Sequence, residues 1–360
     1  EGQNAGRQWQ IPLKGNYEVV PQILDQPTLS LGDYQQLRNE NGQPFRLNVG
    51  NESHFIVHYA KDLLADILGA LDQLGAIDQL QILQDLRLLA EGNQISYAEI
   101  VPLLEKFADS SSAVVNDVLY RLAGDLKKFV QPDSEEEANL QKLFNQLSAK
   151  QVQRLGWKPR TAESNDDQLT RPYVLGAALY AKNPEAILAA HELFEQNQNQ
   201  LSNLSADIRS YVLSNEVKNF NNERLFKQLM EQYRQSADPS YKADLSRALT
   251  ATTDGKQIKA IIEKFEDAST IKPQDLRAWF RGLLANAKGQ QLTWDWIRND
   301  WKWLEDTVGG DMEFNTFITV IANIFRTPAR LEEFKAFFEP KLQTPGLTRE
   351  ITMDIKVIEG

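Results

Sequence analysis

Residues 271–306 read IKPQDLRAWFRGLLANAKGQQLTWDWIRNDWKWLED and hold five of the chain's seven tryptophans. The spacing predicts a helical hairpin. Pro273 suits a first helical turn, Leu276, Trp279, Phe280, Leu283, Leu284 and Ala287 recur on one helical face, and Gly289 stops the run. Thr293 is the expected cap of a second helix. There Trp294, Ile297, Trp301 and Leu304 form one apolar stripe, and Trp296 and Trp303 form another beside it. Two stripes imply cover on two sides, so this helix belongs inside a stack of others.

The rest of the chain supplies that stack. At 360 residues it exceeds one ordinary core, so two folding units or a helical array are expected. With 25% charged and 42% hydrophobic residues it has the composition of a folded globular protein. A net charge of -11, with no basic block interleaved with aromatics, argues against a nucleic-acid partner. No apolar run reaches the ~18 residues of a membrane span, and the first ten residues, EGQNAGRQWQ, lack the features of a secretion signal. Zero cysteines exclude disulfides, thiolate nucleophiles and thiolate metal sites, and suit a cytoplasmic setting.

Residues 1–59 read differently from the remainder. QWQIPL, YEVV, PTLSL, FRLNV and HFIVHY are short β-branched and aromatic runs between Gly, Pro and Asn, with Asn41-Gly42 as a tight-turn signal, so a partial β-sandwich domain is expected there. From residue 60 to 360 the period becomes helical. Leu63, Ile67 and Leu71, then Leu83, Leu86 and Leu89, begin the stripes; Ser96 with Glu99 and Ser134 with Glu137 form capping boxes, and Pro102 is expected to kink its helix. Residues 158–168, KPRTAESNDDQ, are the candidate exposed linker or mobile loop. Asn183-Pro184 and Asp238-Pro239 each start a further short amphipathic helix. The expected class is mainly α: an irregular superhelix of antiparallel helix pairs, a HEAT- or armadillo-like bowl, preceded by the small β portion.

Several segments together resemble the helical C-terminal domain of the gluzincin zinc aminopeptidases, the family of aminopeptidase N and the endoplasmic-reticulum antigen-trimming aminopeptidases. Asp85, Leu89, Ala90, Gly92, Ser96 and Tyr97 match its Asp-x-x-x-Leu-Ala-x-x-Gly-x-x-Ser-Tyr pattern. Ala190, Leu193 and Phe194, then Asp207, Arg209, Tyr211 and Val212, resemble its middle helices. Asn286, Gly289, Trp294, Trp296 and Trp301 match its Asn-x-x-Gly and tryptophan pattern, with Asp300 where Asn is usual, and Arg330 to Glu333 with Phe337 and Phe338 resemble its closing helix. Upstream, Trp9, Ile11, Pro12 and Leu13, and Asn48, Phe55, Val57 and Tyr59, resemble strands of the β-sandwich before that domain; Ile56, His58 and Gln79 depart from the pattern.

Candidate chemistry is sparse. His191-Glu192-Leu193-Phe194-Glu195 imitates half of the HExxH zinc signature, but a carboxylate stands where the second imidazole is needed. His54 and His58 share one face of a predicted strand ~13 Å apart, too far for one metal. No catalytic residue and no metal ligand is assigned. The tryptophan cluster reads as core rather than as a ligand platform. Arg277, Arg281 and Arg298 have the fork geometry for a peptide carboxylate, set against a solvated face paired with Asp295, Asp300 or Glu305. Arg281 is the candidate substrate-chamber residue, because the segment after it, Leu283 to Asn286, lies near the catalytic chamber in the resembling family.

The resemblance implies the non-catalytic cap of a zinc aminopeptidase, closing over a separate catalytic domain that carries HExxH, a Glu ligand and a GxMxN loop. Its partners would be that catalytic domain and peptide substrates, with zinc in the parent enzyme and no cofactor in this chain. The alternative is a free-standing helical scaffold with a protein or peptide on its concave face. A complete scaffold is expected to carry capping elements at both ends, whereas this sequence enters on apparent β structure and ends with ITMDIKVIEG, so a fragment is the favoured expectation.

Overall fold

A computed structural model describes residues 9–310, 314–344 and 346–359. Residues 1–8, where no secretion signal is expected, lie outside that set. Among the described residues there are eighteen α-helices and one two-stranded ribbon, in two compact units, Glu1–Ala181 and Lys182–Gly360.

The first unit opens with β1 (Ile11–Pro12) and β2 (Ile23–Leu24), paired antiparallel with Ile11 opposite Leu24. No β-sandwich exists among the described residues, a correction to the expectation for residues 1–59. YQQLRNEN is α1 (Tyr34–Asn41), because Asp33 accepts the Gln36 N–H at 2.9 Å and Gly42 closes the helix in the left-handed region at φ 69°. Asn-Gly serves a helix end as readily as a hairpin, and a capped helix prevails. HFIVHY is neither helix nor strand, although its burial alternates residue by residue. It is held by one backbone and one side-chain contact: Val57 N–H donates to Asp85 at 3.2 Å, and the Tyr59 hydroxyl accepts the Leu47 N–H at 3.0 Å.

Helices α2 (Lys61–Gly69), α3 (Ala76–Glu91), α4 (Tyr97–Leu104), α5 (Ala113–Asp125), α6 (Glu135–Leu155) and α7 (Asn165–Tyr180) complete this unit. α3 packs on α5, and α5 and α6 pack on α7, around Leu83, Leu104, Leu119, Leu122, Leu147 and Val174. The capping box at α4 is complete, with Ser96 N–H donating to Glu99 at 2.9 Å. At α6, Ser134 accepts the Glu137 N–H, while Glu137 reaches back one residue further, to Asp133 N–H. Pro102 lies inside α4, which gives way to a 3₁₀ turn at Glu105–Phe107.

Residues 158–168 are tied down rather than free. Glu163 pairs with Arg171, both side chains almost wholly buried, and Arg171 also donates to the carbonyls of Gly156 at 3.1 Å and Leu155 at 3.3 Å. Asp167 is paired with Arg154 and with Arg160. Most of the segment is exposed, as its polar composition predicts, but Glu163 and Asp167 turn inward and anchor it through their arginine partners.

The second unit holds α8 (Pro184–Asn197), α9 (Ala206–Asn219), α10 (Glu223–Gln235), α11 (Pro239–Leu249), α12 (Gly255–Ile262) and α13 (Leu276–Ala285). It continues with α14 (Gln290–Asn299), α15 (Trp301–Val308), α16 (Thr316–Ala322), α17 (Pro328–Phe338) and α18 (Thr348–Glu359). Asn183 and Asp238 cap α8 and α11 as their sequence predicts, accepting the N–H of Ala186 and Ser240. α9 packs on α8 and α11, α13 on α11, α14 and α16, and α18 on α16 and α17. A close approach joins α11 to α13: a Cβ at Gly282 would lie 2.1 Å from Thr250 Oγ1, so only glycine fits.

The tryptophan hairpin exists, with shifted ends. Pro273 starts a 3₁₀ turn ahead of α13, and the second helix begins at Gln290, three residues before the expected cap. Thr293 lies inside α14, its buried hydroxyl donating to the Gly289 carbonyl at 2.9 Å. The stripe Trp294, Ile297, Trp301 and Leu304 is buried as predicted, although the helix breaks at Asp300 into α14 and α15.

Candidate functional site

The motif residues that gave the family resemblance turn out to fasten helices. Asn286 Nδ2 donates to the carbonyls of Thr250 and Thr252, both at 2.8 Å, while its Oδ1 accepts the N–H groups of Lys288 and Gly289. That one amide joins the end of α11 to the α13–α14 turn. Trp294 Nε1 donates to Glu333 at 2.8 Å, and Glu333 also pairs with Arg330, whose Nε reaches Gln290 at 3.2 Å. α14 and α17 are thereby locked together over Phe325, Phe337 and Phe338, which stand edge-on or tilted to Trp294. Trp296 and Trp303, half-buried, meet edge to face at 5.9 Å, and Trp296 lies against Phe265 and Phe280. The cluster is core. Arg209, equally buried, donates to Asp244 at 2.7 Å and to the Ser202 carbonyl.

Arg281 projects from α13 into solvent, and no described residue pairs with it. The neighbouring arginines are engaged: Arg298 pairs with Asp295, and Arg277 donates to Thr316 at 2.9 Å. Arg277 and Arg281 stand four residues apart on α13, and of the three arginines Arg281 is the one with no partner among the described residues.

In the first unit, α2, α3, α4 and residues 57–59 line a partly open, mostly apolar pocket of about 410 Å³, with Leu68, Ile82, Leu86 and Ile100 among its walls. Asp85 is its buried polar group. Burial pushes that carboxyl up to about 6, against the opposing pull of the Val57 N–H and the Gln81 amide. Asp85 recurs with Ile82, Leu86 and Leu89 on the apolar side of α3, so an acid at core spacing was its signal in the sequence.

The half-signature at His191 acquires a partner that no linear motif indicates. His191 stacks on Phe220, ring centroids 3.9 Å apart and 13° from parallel, and its Nδ1 lies 2.8 Å from Glu216 Oε2 on α9. Glu195, one turn along α8, completes a group whose ligand atoms all lie within 4.8 Å of one another. Burial raises the Glu216 carboxyl above its ordinary range; the contact with His191 opposes this and the charge of Glu195 adds to it. Glu216 follows Ile208 and Val212 at four-residue steps, again an acid on a core stripe. His54 and His58, both exposed, belong to the first unit and are not members of this group.

Comparison with known proteins agrees with the motif order. Residues 45–360 match the model of the ERAP1-like C-terminal domain. Over all 360 residues the chain is 58% identical to aminopeptidase N of Lactobacillus helveticus, covering 42% of that protein. It is 51% identical to aminopeptidase N of Lactobacillus delbrueckii subsp. lactis over 358 residues and 38% identical to that of Lactococcus lactis subsp. lactis over 360, again covering 42% of each. The chain thus spans about two-fifths of the length of these curated relatives, and no helix among its described residues is long and apolar enough to cross a membrane. Fastening residues, helical pairing and full-length similarity converge: the chain belongs to the ERAP1-like C-terminal domain family and corresponds to the C-terminal helical region of aminopeptidase N.

Proposed function

We propose that the chain is the non-catalytic C-terminal part of a cytoplasmic zinc metallo-aminopeptidase that removes N-terminal residues from peptides. In this reading its helices form a bowl over the catalytic chamber and limit which substrates enter. The observation that carries it is 58% identity to an aminopeptidase N along the entire chain. The chain itself does not supply the chemistry of that zinc. No HExxH and no GxMxN occurs in its sequence, so the catalytic metal and its general base belong to other parts of the enzyme.

Two features support the cap. Trp9, Ile23 and Ile56 are 64%, 50% and 48% exposed, the apolar residues expected where further protein covers the first unit. Arg281 is a solvent-facing guanidinium suited to a peptide carboxylate. A full-length match to one enzyme family also disfavours the free-standing scaffold.

The test compares the whole enzyme with a form lacking these residues, on a leucyl chromogenic substrate and on a folded protein with an accessible N-terminus. The cap reading predicts that the truncated form, where it retains turnover of the small substrate, gains activity on the folded protein. Unchanged exclusion of the folded protein by an active truncated form contradicts it.

A further inference from the structure

We infer that His191, Glu195 and Glu216 form a binding site for a divalent transition-metal ion, separate from the catalytic zinc. Glu216 is 4% exposed, and no lysine or arginine among the described residues pairs with it or with Glu195. A buried carboxylate normally has a cationic partner, and here its partner is one imidazole with a second carboxylate close by. With a neutral imidazole the group carries two negative charges, matched by one dication.

Geometry supports the same conclusion. His191 and Glu195 stand at i and i+4 on α8, so both side chains leave the same face, and Glu216 comes across from α9. Zinc bonds of ~2.0–2.2 Å to nitrogen and oxygen place ligand atoms ~3.3 Å apart, and the observed spread of up to 4.8 Å closes by a small rotation of the exposed Glu195. Phe220 holds the imidazole plane, and Nδ1 is the nitrogen turned toward Glu216. His191 and Glu195 remain open to solvent, which provides an entry path and room for water ligands. Mixed imidazole and carboxylate donors select zinc or its first-row neighbours over magnesium. Glu192, the residue that acts as general base in HExxH, is exposed and one helical step off this face, so the ion would tie α8 to α9 rather than perform hydrolysis.

The chain offers an unusually clean test. It has three histidines and no cysteine, so His54→Ala with His58→Ala leaves His191 as the sole imidazole. Zinc titrated calorimetrically into that double variant is expected to bind with one-to-one stoichiometry and to raise Tm, with magnesium inert. Glu195→Gln, at an exposed position, is expected to keep the circular dichroism of the parent and to weaken zinc at least tenfold. A simple His191–Glu216 ion pair would be unaffected or strengthened by Glu195→Gln. Absence of one-to-one zinc binding in the double variant, or zinc binding unchanged by Glu195→Gln, overturns the site.

Discussion

Replacing Arg171 by methionine tests whether residues 158–168 are an anchored segment. The guanidinium is 4% exposed in its side chain and serves three acceptors: the Glu163 carboxylate, 1% exposed, and the carbonyls of Gly156 and Leu155. Methionine keeps much of the volume and leaves Glu163 charged and buried. Its remaining cation is Arg160, 3.8 Å away and half exposed, and Glu163 Oε2 has no hydrogen-bond partner even in the native arrangement. Removing one member of such a pair costs about 3–5 kcal/mol; we expect ~4 kcal/mol, with weak compensation from Arg160 offset by two carbonyls losing a donor. Glu163→Gln keeps an acceptor and should cost only ~1–2 kcal/mol. The double variant should recover at least ~2 kcal/mol relative to the sum, because the lone buried charge is gone. Hydrogen exchange of α6 and α7 amides reads this locally, without assuming that the two units unfold together. A loss below ~1 kcal/mol for Arg171→Met, or strictly additive effects, would refute the reasoning.

Gly282→Ala should destabilise the α11–α13 contact by ~1–3 kcal/mol despite the better helix propensity of alanine, since its methyl meets Thr250; denaturation of the variant beside Gly282→Ala with Thr250→Ser checks this. Asp354, buried in α18 near Glu350, has its carboxyl pushed up to about 7 by burial, then by the charge of Glu350. A raised carboxyl favours the folded state while protonated, so this stabilisation is complete below the unfolded value near 4 and is lost as pH rises through 7. Asp354→Asn should therefore flatten the pH dependence and be more stable than the parent at pH 8 by on the order of 3–4 kcal/mol, measured by urea melts from pH 4 to 8. In the whole enzyme, Arg281→Ala should raise KM for peptides with a free C-terminal carboxylate about tenfold, leave amidated peptides unchanged and leave Tm unchanged, in keeping with the loss of one charge-assisted hydrogen bond.

Helical periodicity and caps were legible because they are local. Asn183, Asp238, Ser96 and the Trp294–Leu304 stripe act within a turn or two of themselves, and the fold uses each as its spacing predicts. The misreadings concern residues whose partners lie far along the chain or whose local signal has two meanings. Asn41-Gly42 serves a hairpin and a helix end alike, and Asp33 decides for the helix. HFIVHY has strand alternation, but its Val57 N–H goes to Asp85 of α3 and the segment forms no strand. KPRTAESNDDQ is mostly exposed, as it reads, but its anchoring was hidden because Arg154 and Arg171, the partners of Asp167 and Glu163, lie outside the segment. The candidate site divides in the same way. His191 and Glu195 are visible at helical spacing, whereas Glu216, 25 residues beyond His191, joins them only once α9 packs on α8.

Turnover of a leucyl chromogenic substrate is the most direct measurement, made with the 360-residue chain alone and with the same chain joined to the remaining part of an aminopeptidase N such as that of Lactobacillus helveticus. The account predicts no release of leucine by the chain alone, with or without added zinc, and zinc-dependent turnover by the joined protein. Leucine release by the purified chain, abolished by His191→Ala, would contradict it.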